Sequence, residues 1–312
     1  MENFSQKIAH RELQIAAATA TGPHHLKRNE ANQDSFAVFD HVSGEDAVLG
    51  VAVADGAGSL PRSGDGATIA AEIAAAHGVD LVLEARSHGT PVDLRSIALE
   101  AIMEARTSIF KLDYWREAGS TLVVALVAPE GFVVATLGDS FAVLELTDGG
   151  LELIQPPSVG EFANITKLLT SDSFSLAMAS GPLEDFSAVG LCSDGLENST
   201  LQQSPEGPLP VRGFWGNIFS MASKGTLAVA SLIEFMDRQG KIEDDTTLAT
   251  VKAVDSERHS GEITTRFELL EFADGRFLQG EETAALPDME EPSKDSWKDQ
   301  WDGLDSSPSL RG

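Results

Sequence analysis

The chain has 312 residues, 42% of them hydrophobic, and carries 22 Lys and Arg against 49 Asp and Glu, a net charge of −27. That balance argues against a role on nucleic acid, whose phosphates such a surface repels, while the length and hydrophobic share suit a soluble globular protein with a full core. A single cysteine, Cys192, forms no internal disulfide, so a reducing cytoplasm is the expected setting.

Chain order gives the elements. The stretches Leu13 to Thr21, Asp34 to Phe39 and Val48 to Ala54 read as strands. A helix follows from near Asp65-Gly66, carrying Ile69, Ile73 and many alanines. Its apolar run from Ala67 to Leu83 is broken by Glu72, His77 and Asp80, so no membrane span is expected, and the start of the sequence lacks a secretory pattern. A second helix begins after Pro91, with Leu94, Ala98, Ala101, Ala105, Ile109 and Leu112 near the 3.6-residue period. Strands at Thr121 to Ala128, Gly131 to Leu137, Phe141 to Leu146 and Leu151 to Ile154, joined by short turns, form a meander and point to antiparallel pairing. Ala188 to Cys192 is a further strand. A last helix spans Thr226 to Gln239, and Thr246 to Val251 is strand-like. Residues 201–224, rich in Ser, Pro and Gly, read as a long surface insertion. The fold class is α+β, two antiparallel sheets packed together with helices outside.

Three of these strands deliver an acid with a glycine beside it: Asp55-Gly56, Gly138-Asp139 and Asp194-Gly195. A fourth acidic site, Asp244-Asp245, stands directly before a strand. One Asp-Gly after a strand is most often a hairpin turn. Four such carboxylates at strand edges supply the oxygen ligands that Mg²⁺ and Mn²⁺ favour, and glycine can leave a backbone carbonyl free as another. Cys192, inside an apolar strand, reads as a small core residue. No Cys/His cluster has zinc spacing, no Gly-rich loop ends in Gly-Lys-Ser/Thr, and Ser59 and Ser63 lack a His-Asp set.

The ordered segments Asn32-Gln33-Asp34, Val53-Ala54-Asp55-Gly56-Ala57-Gly58, Gly119-Ser120-Thr121, Gly138-Asp139-Ser140, Ser193-Asp194-Gly195 and Asp244-Asp245 resemble the marks of the metal-dependent protein phosphatases of type 2C. The match runs over roughly residues 20 to 254. The resemblance implies a four-layer α-β-β-α sandwich with metals at one edge, between the sheets. It implies hydrolysis of phosphoserine and phosphothreonine in proteins by metal-bound hydroxide, with two divalent cations, Mn²⁺ or Mg²⁺. Carried over residue by residue, Asp55 bridges the metals, Gly56 lends its carbonyl, and Asp194 and Asp244 are outer ligands. Asp34 holds metal-bound water, which makes Asp34, Asp55 and Asp194 the catalytic acids, and Asp139 matches a looser third metal position. Asp245 competes with Asp244, the first being the better match.

Two positions depart from the family pattern. Gln33 stands where many members have Glu, as in a bacterial branch that also carries a histidine eight residues earlier, here His25 after Gly22. The phosphate-binding Arg of the family falls on Asn29, leaving Arg28 as first choice, with His25, Lys27 and Arg62 as alternatives. These departures keep open a second reading, a phosphatase-like regulatory or binding module with little turnover. Residues 1–254 are the expected catalytic domain and 255–280 an extension with a strand pair through Asp274-Gly275. Residues 281–312, with nine acids, three bases and three prolines, read as a disordered tail. Trp297 and Trp301 in that tail offer a docking strip for a partner such as a cognate kinase. The expected partner is otherwise a phosphoprotein, with neither nucleic acid nor membrane.

Overall fold

The strands of this protein are apolar on both faces because both faces are covered. In the strand Val48–Ala54, Leu49, Val51 and Val53 join one core while Val48, Ala52 and Ala54 join another. The strand Leu122–Ala128 divides in the same way, with Val123, Ala125 and Val127 on one side and Leu122, Val124 and Leu126 on the other. This is the two-residue period of a pleated strand, hidden in sequence because neither face meets water.

A computed structural model describes residues 4–8, 11–41, 47–156, 166–205, 207–222, 224–254, 263–273 and 275–279, with no side chains at 4–7, 278 and 279. All of these lie in one compact unit, Met1–Glu282. In chain order the elements are β1 (Phe4–Ile8), β2 (Arg11–Ala20), α1 (Pro23–Arg28), β3 (Ser35–His41), β4 (Val48–Ala54), α2 (Ser63–Ser87) and α3 (Leu94–Phe110). Then come β5 (Leu122–Ala128), β6 (Gly131–Leu137), β7 (Phe141–Leu146), β8 (Leu151–Ile154), β9 (Phe174–Gly181) and β10 (Phe186–Cys192). The remainder is β11 (Leu201–Ser204), β12 (Gly207–Pro210), α5's predecessor α4 (Glu197–Thr200) just before them, α5 (Arg212–Ala222), α6 (Thr226–Arg238), β13 (Thr246–Ala253), β14 (Arg266–Ala273) and β15 (Arg276–Gln279).

One sheet has six strands in the order β1-β2-β13-β10-β7-β8, and the other has seven in the order β15-β14-β9-β6-β5-β4-β3. Every pairing in them is antiparallel. Helices α2 and α3 cover the outer face of the seven-stranded sheet, and the facing inner sides share a second core. Helices α5 and α6 contact β2 and β13 of the six-stranded sheet. The result is the α-β-β-α sandwich expected from sequence. Helix α2 is long and apolar enough by composition to cross a bilayer, yet its alanines Ala67, Ala70, Ala71, Ala74 and Ala75 are buried in the core beneath it.

The reading of 201–224 as a surface insertion is corrected. It holds the β11–β12 hairpin and helix α5, in which Phe214, Trp215, Ile218, Phe219 and Ala222 are buried. Trp215 lies over β10 at Gly190, where an added Cβ would come within 2.4 Å of the indole. Composition concealed a helix whose apolar residues recur at helical spacing. Sequence reading also passed over β1, α1 and β9. The hairpin β14–β15 turns at Gly275, with φ of +77°, and β14 pairs with β9, adding two strands to the seven-stranded sheet. The tail, with Trp297 and Trp301, lies outside the described residues.

Candidate metal centre

The acids meet where the sheet edges converge. Asp55 leaves β4, and its backbone carbonyl accepts from the Thr121 N–H at 2.9 Å and the Ser120 hydroxyl at 3.0 Å. Its own N–H donates to Thr121 Oγ1 at 3.0 Å, and Thr121 Oγ1 lies 2.6 Å from Ser140 Oγ. The Gly119-Ser120-Thr121 segment therefore splints the Asp55-Gly56 turn. Gly56 is bound through its N–H to the Gln33 carbonyl at 3.2 Å, and a Cβ there would meet that oxygen at 2.7 Å, so only glycine fits. Asp194 opens a single 3-10 turn after β10, where Ser193 exchanges bonds with Thr247 of β13. Asp139 sits between β6 and β7 and accepts from the Thr166 hydroxyl.

Carboxylate oxygens of Asp55, Asp139 and Asp194 lie within 4.8 Å of one another. His25, Asp244 and Asp245 form a second group of the same tightness. Both groups line one cleft of about 390 Å³, together with Gly56, Ser59, Thr121 and Leu168. Burial pushes the Asp55 carboxyl well above its ordinary value, and Asp34, Asp194 and Asp139 push it further by repulsion. Asp194 is raised to about 6, by burial and then by Asp139. Asp34 is raised to about 7, mainly by burial, although the Ser193 and Thr247 hydroxyls hold it partly down. Neither Asp34 oxygen has a well-aligned hydrogen-bond partner among the described residues. Acids that crowd and repel one another at a largely desolvated edge fit a cation, which supplies the missing positive charge.

Asp244 and Asp245 are adjacent but do different work. Asp244 is exposed at the cleft, while Asp245 is 4% exposed. Asp245 accepts from the backbone N–H of Gly22 at 2.7 Å and of Gln33 at 2.6 Å, and its Oδ2 lies 2.8 Å from His25 Nδ1. That contact raises the His25 pKa above its ordinary value. Asp245 thus ties α1 and the Gln33-Asp34 segment to β13, and Gln33 in turn holds Gly56. Sequence reading weighed Asp245 only as a rival ligand. The signal available was its place one residue closer to the strand, where alternation turns it inward.

Of the expected phosphate-binding residues, His25 lines the cleft and Arg28 does not. Arg28 is largely exposed, 3.7 Å from Glu30, in a neighbouring depression. Arg62 also lies outside the cleft, bonded to Asp65. Cys192 is buried at the end of β10, and burial raises its thiol pKa.

The sequence model of the family Protein phosphatase 2C matches residues 21–237. The chain belongs to that family. A protein phosphatase 2C is a metal-dependent enzyme that removes phosphate from serine and threonine in proteins, and the acidic groups of this cleft could hold a metal ion. It is similar to Serine/threonine-protein phosphatase 3 of Escherichia coli (strain K12), 26% identical over 254 residues, covering 75% of this chain and 96% of that protein. Among solved structures it resembles Serine/threonine phosphatase Stp1 from Staphylococcus aureus, with TM-score 0.50 and 16% identity over 82% of this chain and 98% of that one. The serine/threonine phosphatase of S. agalactiae gives TM-score 0.50 and 18% identity, over 78% and 100% of the two chains. At such identities these structures speak for the fold of the phosphatase alone.

Proposed function

We propose that this phosphatase carries out metal-dependent hydrolysis of phosphoserine and phosphothreonine through two Mn²⁺ or Mg²⁺ ions, with Asp55 and the Gly56 carbonyl, Asp194 and Asp244 as their ligands. Asp139 serves a looser third ion. The observation that carries this reading is the set of part-buried carboxylates of Asp55, Asp139 and Asp194 within 4.8 Å, with the Asp55 and Asp194 carboxyls raised and no cationic side chain in their group. When bound, divalent ions lower the pKa of water and neutralise phosphoryl charge. Asp34, buried behind the ligands, orients water and takes up a proton. His25, whose protonated form Asp245 favours, faces the cleft and attracts the phosphoryl group. Arg28 adds a guanidinium at the rim.

The Gln33-Asp34 pair, with His25 eight residues before Gln33, supports our assignment of this chain to the bacterial branch of the family. Gln33 acts through its backbone, which links Asp245 to Gly56, so the loss of a Glu side chain there leaves the ligand frame intact. The catalytic domain is residues 1–254, extended by the strand pair within 255–280. The segment 281–312 is a docking strip for a protein partner such as a cognate kinase. The lone buried thiol of Cys192 suits a reducing, cytoplasmic setting.

Purified protein with Mn²⁺ is expected to cleave a small aryl phosphate and a phosphothreonine peptide, and EDTA to stop both. Calorimetric titration with Mn²⁺ adds a readout independent of turnover. Heat of binding without hydrolysis of any phosphomonoester would favour the regulatory module.

A further inference from the structure

The acid cleft continues into a second depression of about 600 Å³, and Gly58 and Ser59 line both. Arg28, Gln33 and Arg62 line this second groove, with Glu30 and Asp65 beside them. Its charge differs from that of its neighbour. The cleft gathers Asp55, Asp139, Asp194, Asp244 and Asp245 against His25, whereas the groove balances two arginines with two acids, in a chain of net charge −27. Unlike the cleft, the groove offers guanidinium groups to a negative side chain on a substrate.

Arg62 is held for that purpose. Its Nε and Nη2 both donate to Oδ2 of Asp65, and its guanidinium lies 4.1 Å from the centre of the Tyr114 ring. Even so, 47% of its side chain remains exposed. A guanidinium fixed by a carboxylate and a ring is oriented before a ligand arrives, so less side-chain freedom is lost on binding. On the same groove, Gln33 Oε1 is buried and has no hydrogen-bond partner among the described residues.

We propose that this groove docks the peptide flanking the phosphorylated residue, and that Arg62 selects a carboxylate side chain in that flank. The proposal rests on the phosphatase reading and names its substrate class: phosphopeptides with Asp or Glu near the phosphoresidue.

The test compares kcat/KM for three phosphothreonine peptides, flanked by Glu, Gln or Lys, and for an aryl phosphate too small to reach the groove. Wild-type protein should prefer the Glu-flanked peptide over the Gln-flanked one by about tenfold, roughly 1.4 kcal/mol. Arg62→Gln should abolish that preference, and Arg62→Glu should turn it toward the Lys-flanked peptide, with aryl-phosphate turnover unchanged in both. A wild type active on aryl phosphate but indifferent to the flank overturns the groove alone, and that comparison needs no variant. Arg62→Gln losing the same factor on all four substrates also overturns it. A wild type inactive on every substrate overturns the phosphatase reading and the groove's role together.

Discussion

Asp244 and Asp245 show how much one position can separate two roles. Asp245→Ala removes the acceptor of two backbone N–H groups and the partner of His25, leaving buried donors unpaired. It should cost about 3 kcal/mol or more of stability, read by urea unfolding without metal. Asp244→Ala, at an exposed position, should change metal-free stability by less than about 0.5 kcal/mol and weaken Mn²⁺ binding in calorimetry. Equal effects from the two would contradict the division of labour. Asp55→Ala should abolish turnover while leaving the metal-free protein as stable as wild type or more so, because one member of a repelling set is gone. Asp55, Asp139 and Asp194 were legible in sequence because each follows an apolar strand and touches a glycine. The clamp by Asp245 was not, since neighbouring acids look alike until the strand fixes which one turns inward.

At the scale of elements, most strands of the sandwich were readable as apolar runs, and helices α2 and α3 by their apolar residues and, for α3, by the 3.6-residue period. Asp93 caps α3, its side chain accepting from the N–H groups of Arg95 and Ser96. Helix α5 was lost among Gly213, Gly216 and the prolines before it, although it buries the largest side chain of its sheet face. Trp215 packs against Phe141, Phe214 and Phe219, and its indole N–H donates to the Thr200 carbonyl at 3.1 Å. Trp215→Ala should therefore cost about 3–5 kcal/mol, seen as a large fall in melting temperature. A surface insertion would tolerate the change. Strand β9 was missed for a different reason: Phe174–Gly181 carries Ser175, Ser180 and Gly181 near its two ends, which shortens the apolar run.

For the molecule as a whole, metal and pH are linked. The folded pKa of Asp194 is about 6 and that of Asp34 about 7, with Asp55 also raised, against about 3.9 in an unfolded chain. Below about pH 4 both states hold these protons, and there is no penalty. As pH rises from there towards 7 the unfolded chain gives them up first, so metal-free stability falls. The raised pKa of His25 acts in the same direction, its contribution being lost as pH rises through the folded value. The expected result is a metal-free melting temperature that drops between pH 5.5 and 8, and a Mn²⁺-induced rise that is larger at pH 8. Asp55→Ala should flatten the metal-free slope; an unchanged slope would count against the acid cluster as its source. Truncation after Glu282 should leave aryl-phosphate turnover intact, and any loss would place part of the tail in the catalytic unit.

The pairing of β2 with β13 sets Ala20 opposite Thr246 and Leu13 opposite Ala253. A ribosome therefore finishes the first long strand and waits for almost the entire chain before its partner emerges. At ~5–20 residues per second that delay is on the order of 10–45 s. Asp245, which anchors the Gly22 and Gln33 amides, comes out at the same late moment. Nascent chains stopped before β13 lack both the sheet's middle and the clamp on its metal-binding edge. The acids that line the cleft, Asp244 and Asp245 among them, are therefore all present only once more than three-quarters of the chain has been made.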